Sequence, residues 1–296
     1  MIKKTRYFIE YLLLRGVVGI INRLSEKHVR AVASFFGHLW YALDPKHRAI
    51  AQANIQSAFP GMSGDNRTRI LKESYVNIIE TFMIFPRMAR FDSTVVEQKF
   101  TFECEDYYEE AVRRGKGVFL LTGHIGNWEF AAAAHSIRHH GLVAVAKDIH
   151  NPSIDAYIKS LRRNALVEVV RPRNAVFRLL RSLKQGKTIA MLLDQNTLKH
   201  EAVFVDFFGR PAATQYAMAL MALKTGAAVV PGFITRNAVT GGYIIRYEKP
   251  LSADDVQDRD AAVQILTQHY TAILEHQIRR APALWFWVHN RFKTTP

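Results

Sequence analysis

The chain reads as an α/β protein, a largely parallel central sheet flanked by helices with an N-terminal helical membrane-associating segment, and three observations carry that expectation. Beyond Gly115 short apolar runs alternate with helical segments; before it the pattern is almost wholly helical; and no internal repeat or low-complexity stretch divides the chain. With 296 residues, 49% of them hydrophobic, there is enough apolar side chain for one large core.

The elements follow in order. Residues 1–24 include YFIEYLLLRGVVGIINRL, strongly apolar but interrupted by Glu10 and Arg15 and followed by no small-residue cleavage site. A span needs roughly 20 predominantly apolar residues. This stretch therefore admits three readings: a marginal span, an interfacial helix with Phe8, Tyr11, Leu12 and Arg15 on one face, or a core helix. The remainder, 25–296, forms one domain, with a helical lead-in over 25–90 and an α/β core from about 100. In the lead-in, Val29, Val32, Ala33, Phe36, Leu39, Trp40 and Leu43 recur at three and four, Asp44-Pro45 punctuates the pattern, and FPGMSGDN (59–66) is a loop. A helix from about Arg67 to Phe85 ends at Pro86. Both aromatic-rich helices have core-packing spacing, with a bilayer face as the alternative. The runs GVFLLTG, LVAVAK, VEVV, KTIAMLLD, AVFVDFF, AAVVPGFITR and GYIIRYEKP are strand candidates. Between them, Val176, Leu179, Leu180 and Leu183 make one helical stripe, and Tyr216, Ala219, Leu220 and Leu223 another.

Charge narrows the partners. The formal net charge is +14, which favours polyanionic ones. Residues 147–187 hold ten Lys/Arg against Asp148, Asp155 and Glu168, and residues 1–44 hold seven against three acids. No recognition-helix or RNP-like motif accompanies the charge, so nucleic acid is not expected. The single cysteine, Cys104, excludes an intrachain disulfide, and no CxxC or HExxH spacing suggests zinc. Neither a metal nor a cofactor is expected.

The chemistry concentrates in LLTGHIGNWEF (120–130), where a strand becomes a helix. Residues five apart on one regular helix point about 140° away from each other. With His124 in the loop and Glu129 in the first helical turn, however, the Gly126-Asn127 bend is able to bring the carboxylate to an imidazole nitrogen. That is the histidine–acid half of a triad, fixing the tautomer and freeing the other nitrogen as a base. No serine nucleophile sits beside it, so a substrate hydroxyl attacking an acyl carbonyl completes the chemistry. The bland alternative is that His124 caps the helix and Glu129 complements its dipole.

HIGNWE resembles the H-x4-D/E block of the glycerolipid and lipid A acyltransferases. KDIHNPSIDAYIKSLRR (147–163), LLDQN, VFVDFFGRPAAT, TGAAVVP and LWFWVHNRFKTTP follow, in order, the pattern of the bacterial lipid A late acyltransferases, the lauroyl and myristoyl transferases. The resemblance runs from about residue 15 to the C-terminus. It implies acyl transfer from acyl carrier protein to a hydroxyl of a phosphorylated lipid A precursor, among membrane lipids at the cytoplasmic face of the bacterial inner membrane. His124 is then the base and Glu129 its orienting partner, with Asn127 between them a candidate substrate contact. Arg162 matches the family arginine, which binds substrate by engaging phosphate or polarising the carbonyl, or is otherwise a solvated helix charge; its neighbour Arg163 leaves a one-residue ambiguity in that substrate-binding assignment. Asp194 matches a family aspartate or is a structural cap. Lys147 stands where related lauroyl transferases often carry arginine, a point charge instead of a planar fork. Arg291 and Lys293 are candidate phosphate contacts or surface charges, and Trp285 and Trp287 core or interface aromatics. Phe204, Phe207 and Phe208 line an acyl channel or form a buried strand. Another acyltransferase acting on a different glycolipid, an aminolipid or a lysophospholipid with acyl-CoA, and a non-catalytic lipid-binding protein, are the competing readings.

Overall fold

The computed structural model describes residues 2–173, 175–253, 256–258 and 260–296. Four helices lead in: α1 (Ile2–Ile21), α2 (Glu26–Leu43), α3 (Pro45–Ala58) and α4 (Gly64–Ile84). The Asp44-Pro45 break is a helix start: Asp44 caps α3 by accepting from the His47 N–H, and Pro45 occupies the first turn, where no N–H is needed. Helix α4 begins three residues earlier than the pattern suggests because Ser63 caps it. Its apolar stripe locks against α2, where a side chain on Gly37 would lie 2.7 Å from the Val76 backbone.

All seven runs expected as strands form strands. They become β2 (Val118–Thr122), β3 (Leu142–Val145), β4 (Val167–Val170), β5 (Thr188–Leu192), β6 (Ala202–Phe207), β8 (Ala228–Arg236) and β9 (Tyr243–Tyr247). Two more were not evident: β1 (Phe100–Glu103), only four residues long, and β7 (Arg210–Gln215), whose Pro and Ala content is unlike a strand. Seven strands make one sheet in the order β1-β9-β8-β2-β5-β3-β4, parallel except that β9 runs antiparallel to β8. Helices α5 (Ser93–Lys99), α6 (Glu105–Arg113), α7 (Trp128–Arg138), α8 (Pro152–Asn164), α9 (Ala175–Lys184), α10 (Ala217–Thr225) and α11 (Ala262–Arg280) complete the chain. Strand β2, at the centre, is buried along VFLL, as a parallel strand covered on both faces must be.

Strands β6 and β7 form a separate hairpin, closed by Phe208 (φ 56°) and Gly209 (φ 73°), the two left-handed positions of a type I′ turn. Phenylalanine is unusual there. It is held by its ring, which packs beside Trp285, Trp287 and Phe59.

Helix α1 is not a detached appendage. Val18 and Ile21 are buried, Tyr11 and the exposed Arg15 both contact the Tyr157 ring of α8, and Phe8, Leu12, Leu13, Val17 and Ile20 face outward. The single face expected for Phe8, Tyr11, Leu12 and Arg15 is therefore divided. No described helix is long and apolar enough to cross a membrane.

Candidate active site at the ends of β2 and β5

Strands β2 and β5 pair in parallel with Thr122 opposite Leu192, and the ladder continues one step through the Leu193 N–H donating to the Thr122 carbonyl at 3.1 Å. Two residues past each strand end, His124 and Asp194 stand level. The His124 ring Nδ1 lies 2.9 Å from Asp194 Oδ1, and the His124 backbone N–H donates to Oδ2 at 2.9 Å. A third donor, the Trp285 indole N–H, reaches Oδ2 at 2.8 Å. Gly123 leaves room for this; a Cβ there would sit 3.1 Å from the Asp194 carboxyl carbon.

Asp194 is 2% exposed. Burial pushes its carboxyl pKa up, but the His124 charge and hydrogen bonds and the Trp285 indole outweigh that and hold it at about 2. An ionised carboxylate only accepts, so Nδ1 carries the proton, and in the neutral ring Nε2 keeps its lone pair. The Gln195 side-chain amide lies 3.3 Å from that lone pair. Trp128 packs edge-on to the imidazole at 4.9 Å between centroids, and Phe286 lies on it at 6.0 Å.

Glu129 is placed differently from expectation. Among the described residues its carboxylate is held by Arg162 of α8, through Nη2 at 2.5 Å and Nε at 3.2 Å, a two-pronged ion pair. The expected Glu129–imidazole bond is replaced by the Asp194 bond, because the strand register delivers Asp194 to Nδ1 and a ring has one such nitrogen. His124, Glu129, Arg162 and Lys147 nonetheless line one cavity of about 700 Å³. Its apolar wall includes Ala131 and Ala132 of α7 with Leu120, Leu142 and Ala144 of the sheet, the small α7 residues leaving the space open.

The other candidates separate. Asn127 caps α7, its Oδ1 accepting from the Phe130 N–H at 3.0 Å. Arg163 borders a groove at the opposite ends of the strands, so Arg162 is the arginine that faces His124's cavity. Arg291 is 0% exposed and outside the cavity. It donates to the Ala213 carbonyl at 2.6 Å and to Thr214 Oγ1, tying the C-terminus to β7, and burial lowers its pKa to about 10. Phe207 and Phe208 belong to the core, and none of Phe204, Phe207 and Phe208 lines the cavity. Gln195 and the bonding of Trp285 were not anticipated; only the position of Gln195 beside Asp194 signals the former.

A largely parallel α/β sheet that sets a carboxylate-held histidine beside a largely apolar cavity has the groups of an acyl-transfer enzyme. The family model for bacterial lipid A biosynthesis acyltransferases matches residues 1–294, and the chain belongs to that family. It is an O-acyltransferase of the lipid A type. A lipid A biosynthesis acyltransferase of Haemophilus influenzae is 26% identical over 272 residues, 90% of this chain and 85% of that protein. The lipid A biosynthesis lauroyltransferase of Escherichia coli K12 is 23% identical over 301 residues, 98% and 93% of the two chains. A phosphatidylinositol mannoside acyltransferase of Mycobacterium tuberculosis is 29% identical over 132 residues, 43% of this chain and 41% of that one.

Proposed function

We propose that the protein moves a fatty acyl group from acyl carrier protein to a hydroxyl of a phosphorylated lipid A precursor. The observation that carries this reading is the His124–Asp194 pair, whose free Nε2 opens on an apolar cavity beside Arg162 and Lys147. The acceptor hydroxyl replaces Gln195 at Nε2 and gives up its proton there as its oxygen attacks the thioester carbonyl. Asp194 stabilises the imidazolium that forms. Collapse of the tetrahedral intermediate breaks the carbon–sulfur bond, and the departing thiolate takes the proton from Nε2. Among the described residues no Ser or Cys side chain is hydrogen-bonded to His124, which supports direct transfer without an acyl-enzyme. The apolar wall formed by α7 and the sheet receives the chain, each buried CH₂ contributing about 0.8 kcal/mol. Arg162 and Lys147 meet phosphate, while the surface charge of +14 draws in the acidic carrier protein and the anionic lipid.

The setting is a membrane surface at the cytoplasmic face of the bacterial inner membrane. The outward stripe of α1 is joined by Phe35, Phe36, Leu39 and Leu43 of α2, all exposed, and by Lys3, Lys4 and Arg6 where α1 begins. Phe82 of α4, 57% exposed, lies edge-on to Trp128 at 6.1 Å, so apolar surface continues to the ring that touches His124.

The test is transfer of radiolabelled lauroyl and myristoyl groups from acyl carrier protein to a tetra-acylated, sugar-substituted precursor, comparing wild type with His124→Ala. A fall of at least a hundredfold supports the reading. No transfer by wild type with either donor overturns it. The partial likeness to the mannoside acyltransferase favours a second reading in which the acceptor is another phosphorylated glycolipid, and transfer only to such an acceptor would select it.

A further inference from the structure

The C-terminal segment runs past the active site as a strap. It begins as α11 ends, and Gly126 of the HIGNWE turn donates to the Leu284 carbonyl at 2.9 Å while Ile125 bridges to Trp285. Side chains of the lead-in helices fasten it: Ser74 donates to the Trp285 carbonyl at 2.7 Å, Asn77 to that of Ala283 at 2.9 Å, and Asn54 to those of Trp287 and His289, both at 2.8 Å. From this fastened strap two groups reach the segment Asp194-Gln195-Asn196. The Trp285 indole donates to Asp194 Oδ2, and His289 Nε2 accepts the Asn196 N–H at 2.9 Å. Asn196 and Thr294 are bonded twice more, through the Thr294 N–H and its hydroxyl.

The charge economy of the site gives these contacts a role. The two oxygens of Asp194 divide one negative charge among His124 Nδ1–H, the His124 amide and the indole. A donor on Oδ2 holds the carboxylate in plane with the ring and withdraws charge from the imidazolium. The amide held by His289 fixes the loop that carries Gln195 against Nε2.

We propose that Trp285 and His289 are positioning residues for the reaction, Trp285 setting the orientation and basicity of His124 through Asp194, and His289 holding Gln195 through the Asn196 backbone. This inference rests on His124 acting as the base. Trp285→Phe keeps an aromatic ring but removes the donor; His289→Gln keeps an acceptor, and His289→Leu removes it.

The experiment pairs turnover with NMR titration of the His124 ring in the full chain. In Trp285→Phe the carboxylate is less shared, so the His124 titration moves to higher pH than in wild type. Loss of the carboxylate's fixed orientation lowers kcat at neutral pH at least tenfold, about 1.4 kcal/mol, with KM for donor and acceptor within twofold of wild type. Other titratable groups facing the ring or its cavity include His289 and Arg291 on the strap, Glu129 on α7, Arg162 on α8, Lys147 beyond β3 and Glu201 before β6, and the substitution leaves all of them in place. His289→Leu lowers kcat and His289→Gln restores it. An unmoved His124 titration and an unchanged kcat in Trp285→Phe would overturn the proposal. So would equal loss in the two His289 variants, which decides the matter if Trp285→Phe does not fold. A wild type that shows the ring titration but no acyl transfer would instead refute the proposed function.

Discussion

His124 and Asp194 are 70 residues apart in sequence and meet because β2 and β5 pair in register, each supplying the second residue beyond its strand end. The pair is thus built by sheet topology, with the carboxylate that holds His124 supplied by a neighbouring strand instead of by the adjacent helix.

Replacing Asp194 with Asn removes the charge and leaves an amide able to donate to the wrong ring nitrogen state. The expected loss in kcat is about ten-thousandfold, the scale seen when a triad aspartate becomes asparagine. Single-turnover measurement with saturating donor and acceptor isolates the chemical step. A loss under tenfold would contradict the assignment.

Glu129 and Arg162 act as one unit, since two bonds join them at the cavity mouth. Arg162→Lys loses the planar fork and is expected to raise the acceptor KM about tenfold. Arg162→Ala and Glu129→Ala together are expected to cost little more than either alone. Additive losses in the double mutant would show that the two residues work separately.

Gly126 has φ +62°, and a Cβ there would lie 2.7 Å from the Ile234 carbonyl oxygen. Gly126→Ala is expected to destabilise the fold by about 1–3 kcal/mol in urea unfolding. Gly61→Ala, with nothing within 4 Å of the new methyl, serves as the control and is expected to show no comparable loss.

Stability also carries a pH signature. Burial pushes His139 down from 6.5 to about 4; Glu105 opposes this, and Arg138 and His140 add to it. Between those values the unfolded chain binds a proton that the folded one refuses, so stability falls as pH drops from 6.5 towards 4, by up to about 1.4 kcal/mol per pH unit. Asp194 behaves separately: its folded carboxyl is depressed to about 2, so its contribution is present above the unfolded value and is lost as pH falls through about 2. Urea midpoints at pH 7 and pH 5 check the first window; His139→Phe should lessen its slope, the remainder coming from His135 and His289, which burial also holds below 6.5.

The outward face of α1 gives a binding prediction. Phe8→Glu with Leu13→Glu is expected to reduce cosedimentation with anionic phospholipid vesicles severalfold, and raising salt should weaken wild-type binding. Undiminished binding by the variant would place the membrane contact elsewhere.

The sequence made the strands legible because buried parallel strands are continuous apolar runs, as in VFLLT and TIAML. It hid β7 because RPAATQ is a strand through its pairing with β6, not through its composition. The motif GHIGNWE placed His124 on the strand-to-helix turn, where the structure has it, but local spacing favoured Glu129 as its partner over an aspartate 70 residues away. Which strands pair when they lie far apart in sequence, as β2 and β5 do, is a long-range property that the local motif does not carry. Arg291 misled for a related reason: nothing in NRFKTTP shows that its guanidinium turns inward to β7.

The most direct test of the account is ¹⁵N NMR of the His124 ring tautomer, at a pH where the ring is neutral, in wild type, Asp194→Asn and Glu129→Gln. The structure predicts a proton on Nδ1 in wild type and in Glu129→Gln, with that preference lost in Asp194→Asn. Loss of the preference in Glu129→Gln with retention in Asp194→Asn would contradict it and return the orienting role to Glu129.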